Sequence, residues 1–283
     1  MWKRSLESNI KSITVAVTFF SSLSNGFLII VIMSIPNIWE SVRGEHMVEN
    51  NQKRNVFIFI FFMIVFILQG ILIAYLQSLA IFKTIGRRPY ILLLDILTTV
   101  ILTAVFYFSY KKLNKKGIKY RFNLKSLLYI LFFFIVCKLV NYFCIEYLSE
   151  IVFGRKMLSF FEYLKLYSLG SIRNTSLRAL FQFENVVKAP ILEELLFRGL
   201  LQGVILEKWS RNRRILFVTL VFALAHAGMY QNIFYFIPYF VFSLALSVIY
   251  EKRRSLFDCI LLHSLANGLL FIVIFDFPIR WSI

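Results

Sequence analysis

Long apolar stretches without charge dominate the chain and limit what it can fold into. The clearest runs from Val56 to Phe82 and contains no Asp, Glu, Lys or Arg. A helix that crosses a membrane needs about 20 consecutive, mostly apolar residues. Hydrophobic residues make up 59% of the 283 positions, compared with about 45–50% in soluble domains. A soluble fold of this size could not bury so much apolar surface, and disordered chains carry far fewer apolar residues. The sequence therefore predicts an all-α, polytopic helical bundle in a membrane.

Eight stretches are predicted to be transmembrane helices. They cover residues 13–35, 56–82, 90–110, 127–147, 186–206, 215–231, 233–250 and 255–275. The connection between the fourth and fifth carries apolar residues at helical spacing with charged residues between them, which is typical of a helix in the membrane interface. We therefore divide the chain into an N-terminal transmembrane region of four spans (1–150), an interfacial connection (151–184), a core of four spans (185–275) and a tail (276–283).

The net charge of +17 reflects basic residues that cluster between the apolar stretches, for example in 211–214 and 252–254. Such runs are typical of membrane topology and of contact with anionic lipid headgroups. We therefore expect anionic lipid at the basic loops and no nucleic acid as a partner. The loops after spans one, three, five and seven carry 17 Lys and Arg, against 12 on the other side. The positive-inside rule thus predicts that these four loops are cytoplasmic.

The second half of the chain places ionisable residues inside predicted spans. Placing each such residue at the bilayer centre costs at least about 2.5–3.5 kcal/mol, so its presence there must be explained. Counted from the basic-loop side at about 1.5 Å per residue, Glu193 lies about 21 Å deep, His226 about 17 Å and His263 about 12 Å. All three fit one layer of a hydrocarbon core that is about 30 Å thick. Their shared depth predicts a common site.

Helical spacing relates these residues to their neighbours. Glu194 and Arg198 are four apart, so we expect them to pair on one helix face, while Glu193 points about 100° away from them. His263 and Asn267 are also four apart and project together.

Other small and polar residues in the predicted spans lead to structural expectations. Pro190 is expected in the first turn of a helix, which would place both glutamates near its N-terminus. Gly199 and Gly203 are expected to allow close helix packing. We further expect Asp95 to pair with Lys138, and Asp258 to pair with the basic loop before it.

These residues form three ordered motifs: Glu193-Glu194-x-x-x-Arg198, Phe222-x-x-x-His226 and His263-x-x-x-Asn267. The set resembles the CPBP family, which comprises the type II CAAX prenyl proteases and the bacteriocin-processing intramembrane proteases, also called the Abi family. The resemblance covers roughly residues 185 to 275, and the first four spans carry no comparable signature. It implies an intramembrane peptidase that hydrolyses a peptide bond.

The resemblance also implies a role for each motif residue. Glu193 and His226 would activate the attacking water, and His263 and Asn267 would stabilise the oxyanion. Glu194 and Arg198 would be structural support, and Phe222 would pack. A base, a proton carrier and preorganised donors in a water-poor cavity are what amide hydrolysis needs.

Two mechanisms stay open at the level of sequence. Two histidines and one glutamate (Glu193, His226 and His263) would give zinc three ligands and one open position. The chain has no His-Glu-x-x-His motif, however, and resemblance to the prenyl-protease branch favours a glutamate-based mechanism without metal. We therefore expect no cofactor, with zinc as the alternative.

The expected substrate is a membrane-associated or leader-bearing peptide. Amino-acid usage rich in Phe, Ile, Lys and Asn indicates an AT-rich, bacterial genome. Together with the predicted spans, it favours a multi-pass protein of a bacterial plasma membrane. Bacteriocin, pheromone or self-immunity peptides are therefore favoured over prenylated proteins. Two alternatives are a non-catalytic scaffold that regulates a partner membrane protein, and a proton-coupled transporter. Transporters commonly pair two similar halves, whereas the ionisable residues here lie in one half.

Overall fold

The computed structural model of the protein describes residues 46–83, 88–114, 123–153, 182–230 and 233–268, and all regular structure within these ranges is helical. The first half contains α1 (His46–Lys83), α2 (Arg88–Leu113), α3 (Leu124–Asn141), the π-helix π1 (Tyr142–Leu148) and α4 (Ser149–Phe153). The second half contains π2 (Glu184–Lys188), α5 (Ala189–Glu194), π3 (Leu195–Ile205), α6 (Arg211–Tyr230), α7 (Ile233–Arg253) and α8 (Leu256–Ala266).

Three described helical segments are long and apolar enough to cross a membrane, namely Arg54–Ile73, Tyr90–Leu113 and Leu124–Val152. They coincide with the second, third and fourth predicted spans. The first predicted span and residues 154–181 of the interfacial connection lie outside the described residues. The count of eight spans therefore stays a prediction.

The surface of the first three helices requires an apolar surrounding. Phe57 on α1, Phe108 on α2 and Phe132 on α3 are each 60% exposed or more. Long rows of large apolar side chains on a protein surface are stable in contact with lipid, whereas their exposure to water is unfavourable. Together with their length, this identifies an integral membrane protein.

The second half packs more tightly than the first. Leu192, Leu196 and Leu200 recur every four residues along α5 and π3 and are almost completely buried, because this run contacts α2, α6 and α8 on different sides. Here we call the continuous helical run 184–205 the site helix. Its central position determines where Glu193 and Glu194 lie.

Pro190 lies in the first turn of α5, as expected, but α5 continues π2 without a break, so this turn is not a free helix start. Helical residues begin before Glu184, and Lys188 itself has helical backbone angles. Proline lacks the N–H that an α-helix uses, and the widened π2 turn directly before it is a way to absorb that loss without breaking the helix. The two glutamates therefore lie in mid-helix and not near a free N-terminus.

Within the eighth predicted span, the described helix is α8. α8 has 11 residues and ends at Ala266, where the helix stops because Gly268 adopts φ 114°, a backbone angle that favours glycine. This turn places Asn267 at the C-terminal cap of α8. Residues 269–275 of the predicted span lie outside the described residues.

The buried acids of the bundle have definite partners. Asp95 Oδ1 accepts bonds from Lys188 Nζ at 2.8 Å and from Gln69 Nε2 at 2.7 Å. The expected pairing of Asp95 with Lys138 is therefore wrong, since Lys138 Nζ donates to the Ala266 carbonyl at 3.1 Å. The second expectation is confirmed: Arg253 Nε lies 2.5 Å from Asp258 Oδ2.

Candidate active site

Glu193, His226 and His263 converge from three different helices. Glu193 Oε2 lies 3.6 Å from His226 Nε2 and 3.9 Å from His263 Nε2. These residues belong to α5, α6 and α8 and are far apart in sequence. The structure thus brings together the three residues that the depth argument placed in one layer.

The ring of His226 is oriented by its own helix. His226 Nδ1 lies 2.8 Å from the Phe222 carbonyl oxygen, and the two rings stack with centroids 4.1 Å apart. A carbonyl only accepts hydrogen bonds, so Nδ1 carries the proton and Nε2 presents its lone pair towards Glu193. This geometry explains the spacing of Phe222-x-x-x-His226, because residues four apart share a helix face.

The ring of His263 is oriented by Glu194. His263 Nδ1 lies 2.8 Å from Glu194 Oε1, so the carboxylate accepts the Nδ1 proton and His263 Nε2 faces Glu193. Helical spacing predicted only the pairing of Glu194 with Arg198. The contact with His263 could not be predicted, because the two residues are 69 positions apart and no spacing rule links different helices.

Arg198 holds Glu194 from the other side. Its Nη1 donates to Glu194 Oε1 at 3.0 Å, which confirms the predicted pair, and its Nη2 donates to Ser243 Oγ at 2.8 Å. The guanidinium also lies 4.6 Å from the centroid of Phe222, in a cation–π contact. Arg198, Glu194 and Phe222 are fully buried, so Phe222 packs at the centre of the site as expected.

Asn267 lies at the end of α8, one turn beyond His263. Its side-chain amide donates to the Asn185 carbonyl on the site helix at 2.9 Å, and its backbone N–H donates to the His263 carbonyl at 2.9 Å. An amide carries two hydrogens, and the bond to Asn185 uses one. Asn267 therefore ties α8 to the site helix and still has a second N–H to donate.

The open side of the site is formed by Glu193 and His226. Their side chains are 14% and 13% exposed, against 3% for His263. Within the described residues, Glu193 Oε2 has no hydrogen-bond partner, because both ring nitrogens lie beyond hydrogen-bond distance. Glu193 Oε2 and the lone pair of His226 Nε2 are acceptors that face each other and need a donor between them, so this arrangement suits a water molecule or a proton.

The donor types of these three residues would suit zinc, but their placement does not form a ligand set. Within the ranges that the structure describes, no group of three His, Cys, Asp or Glu side chains is arranged so that it could hold a metal ion. We therefore derive no catalytic step through a metal.

Comparison with protein families places this site in a known context. Residues 175–269 match the family model described as type II CAAX prenyl endopeptidase, Rce1-like. The match contains all three motifs and every residue of the site. Through this segment the chain is similar to the type II CAAX prenyl endopeptidases, in agreement with the CPBP-like motifs.

Curated bacterial relatives match about a third of the chain. The chain is 36% identical over 104 residues to the membrane-embedded CAAX protease MroQ of Staphylococcus aureus (strain USA300), covering 34% of this chain and 39% of MroQ. It is 32% identical over 80 residues to UPF0177 protein YxdF of Lactococcus lactis subsp. lactis (strain IL1403), covering 28% of this chain and 41% of YxdF. The chain thus spans about two fifths of the length of these relatives. No solved structure matches the chain significantly.

Proposed function

We propose that the protein is an intramembrane endopeptidase that hydrolyses a peptide bond of a membrane-associated or leader-bearing peptide. The observation that carries the proposal is the approach of Glu193 Oε2 to the Nε2 atoms of His226 and His263, at 3.6 and 3.9 Å. Ionisable groups that converge inside a membrane protein are costly. A catalytic role explains why the protein keeps these groups despite their energetic cost, whereas a purely structural role does not.

In the proposed reaction, Glu193 and His226 activate a water molecule. Both present lone pairs, so one can accept a water hydrogen bond while the other removes a proton. The water oxygen then attacks the carbonyl carbon of the peptide and forms a tetrahedral intermediate. When the C–N bond breaks, the proton that the site has taken passes to the leaving amine.

The oxyanion of the intermediate is stabilised by His263 and Asn267. His263 donates from Nε2 while its Nδ1–H stays on Glu194, which requires the ring to carry both protons. The adjacent carboxylate stabilises that form of the ring, as the aspartate does in serine protease triads. Asn267 donates the amide hydrogen that does not bond Asn185. The low dielectric of the membrane strengthens both interactions.

The proposal includes a glutamate-type mechanism, and the zinc alternative raised by the sequence (Glu193, His226 and His263) is the outcome that a metal test must exclude. Dialysis of the purified protein against EDTA, with activity and metal content measured on the same sample, separates the two. Activity retained in metal-free protein supports the glutamate type. Activity lost with EDTA and restored by one equivalent of Zn²⁺ contradicts it.

The sequence and the relatives support a proposal for the substrate and the surroundings. The name of the Staphylococcus aureus relative describes a membrane-embedded CAAX protease, and its host supports a bacterial plasma membrane for this chain. We propose several spans, anionic lipid at the basic loops, and a bacteriocin, pheromone or self-immunity peptide as substrate. None of these requires a cofactor or a nucleic acid.

The test compares peptides from cells that express the wild type, Glu193→Ala or His46→Ala at matched levels. His46 begins α1, in the N-terminal region before the site-bearing helices, so its substitution controls for expression. Mass spectrometry of membrane and medium fractions needs no prior choice of substrate. We expect fragments that appear with the wild type and His46→Ala and are absent with Glu193→Ala. Identical peptides in all three, with a deletion phenotype rescued by Glu193→Ala, would contradict hydrolysis and favour the scaffold.

A further inference from the structure

Ser243 on α7 contacts Arg198, and Arg198 contacts Glu194, the hydrogen-bond partner of His263. We propose that Ser243 is a positioning residue that fixes the ring of His263 through Arg198 and Glu194. Its effect on the reaction rests on the proposed function, whereas its effect on the ring rests on geometry alone. Ser243 lies within the matched segment 175–269 but belongs to none of the three motifs.

The contacts form an unbroken series. Ser243 accepts from Arg198 Nη2 twice, at its hydroxyl (2.8 Å) and at its backbone carbonyl (3.1 Å). Arg198 Nη1 donates to Glu194 Oε1 at 3.0 Å, and His263 Nδ1 lies 2.8 Å from the same oxygen. Because Oε1 is shared, a displacement of the guanidinium moves the acceptor on which the His263 ring depends.

Ser243 supplies both acceptors at one end of the guanidinium. Arg198 Nε is buried and has no hydrogen-bond partner within the described residues, so the planar group is held by Nη1, by Nη2 and by the Phe222 ring. A guanidinium is rigid, so anchoring one end sets the direction of the other. Loss of the Ser243 hydroxyl leaves the backbone carbonyl as the acceptor for Nη2 and loosens the whole series.

The same helix offers a matched control. Ser247 lies one turn along α7 and, like Ser243, is fully buried. Its backbone carbonyl accepts from Gln202 Nε2 at 3.0 Å, but its hydroxyl has no hydrogen-bond partner in the part of the chain that the structure describes. Ser243→Ala and Ser247→Ala therefore remove the same atom from equally buried positions, and only the first breaks the contact to Arg198.

The first measurement is independent of catalysis. The chain has three histidines, so protein labelled with ¹⁵N-histidine in lipid bilayers gives few ring-nitrogen signals by solid-state NMR, and His46→Gln and His226→Gln assign them. We expect Ser243→Ala to shift the Nδ1 and Nε2 resonances of His263 and to leave those of His226 in place, since Phe222 holds that ring. Ser247→Ala should reproduce the wild-type spectrum. Unchanged His263 resonances in Ser243→Ala overturn the proposal.

The second measurement uses a synthetic peptide that contains the cleavage site found in the Glu193→Ala comparison. We expect Ser243→Ala to lower kcat about tenfold, the value of one hydrogen bond to a charged group, with KM unchanged because Ser243 faces Arg198 and not the peptide. Ser247→Ala should keep wild-type kcat. Shifted His263 resonances with unchanged kcat would overturn the role in the reaction. If no peptide depends on Glu193, the proposed function fails, and the spectra alone still decide whether Ser243 positions His263.

Discussion

At the scale of residues, the two histidines differ in what fixes their rings. His226 Nδ1 bonds a neutral carbonyl of its own helix, whereas His263 Nδ1 bonds the carboxylate of another. A carboxylate stabilises a ring that donates from both nitrogens, and a carbonyl does so far less. This difference suits His226 to accept a proton and His263 to donate a hydrogen bond, which is the division of roles in the proposed reaction.

Asn267 tests this division because it has both a structural and a proposed chemical role. We expect Asn267→Ala to lower kcat by about 10²–10³-fold, the effect of removing one oxyanion donor, with little change in KM. The bond to Asn185 is lost as well, so thermal unfolding of each preparation must be measured beside the kinetics. A lower melting temperature with normal kcat per folded molecule would make Asn267 a structural link only.

At the scale of elements, the site helix depends on a close contact at Gly203. A Cβ at this position would clash with the Tyr250 hydroxyl, whereas a Cβ at Gly199 would make an ordinary van der Waals contact of 3.4 Å with Tyr110. The two tyrosines also bond each other at 2.9 Å. The expected close packing is therefore confirmed at Gly203, and at Gly199 the space is less restricted.

We expect Gly203→Ala to destabilise the protein by about 1–3 kcal/mol, the usual cost of overpacking a buried site. Gly199→Ala is the matched control and should cost less, because its new methyl group has room. Chemical unfolding in detergent micelles compares the two. Adding Tyr250→Phe to Gly203→Ala removes the atom in conflict and should recover part of the loss. Equal effects of the two glycine substitutions would contradict the assignment.

The ends of π3, α6 and α7 meet at an ion pair beyond the predicted spans. Arg214 donates to both carboxylate oxygens of Glu251, at 2.6 and 2.8 Å. Burial disfavours the charged carboxylate, but hydrogen bonds from Arg214 and Gln202 outweigh that effect and lower the pKa of Glu251 below its ordinary 4.5. A lowered folded-state pKa stabilises the protein above the unfolded-state pKa, and this stabilisation is lost as the pH falls through the folded value.

Wild-type stability should therefore decline as the pH falls below about 4.5, and Glu251→Gln should remove part of this decline. The variant should be less stable than the wild type at pH 7 and approach it in acid. Melting temperatures over a pH series give both curves. Parallel curves for the two proteins would contradict a contribution from Glu251.

At the scale of the whole molecule, the sequence predicted contacts correctly where they depend on spacing within one helix or on a shared depth in the membrane. The convergence of Glu193, His226 and His263 followed from depth, and the Glu194–Arg198 pair from helical spacing. Contacts between helices could not be predicted in this way, and so the bond from Glu194 to His263 was missed and the partner of Asp95 was wrong. Pro190 lies in the first turn of α5 as predicted, but the π turn before it lets the helix continue, so the expected nearness of the two glutamates to a helix N-terminus was wrong.

The pair of Asp95 with Lys188 shows how the N-terminal region contributes to the site. Asp95 lies on α2, outside the family match, and Lys188 lies on the site helix five residues before Glu193. Both are buried, so removing one partner leaves an uncompensated charge. We expect Asp95→Asn or Lys188→Met alone to cost about 3–5 kcal/mol of stability, and the double substitution to cost much less than their sum.

Glu184→Gln is the control for this cycle. Glu184 lies 3.9 Å from Lys188 but is 28% exposed on its side chain, so its removal should change stability by less than about 1 kcal/mol. Unfolding of all four variants is measured in lipid nanodiscs. A double substitution that costs the full sum would mean that the two charges act independently. Strong coupling would instead mean that α2, which lacks any family motif, sets the position of the helix that carries Glu193.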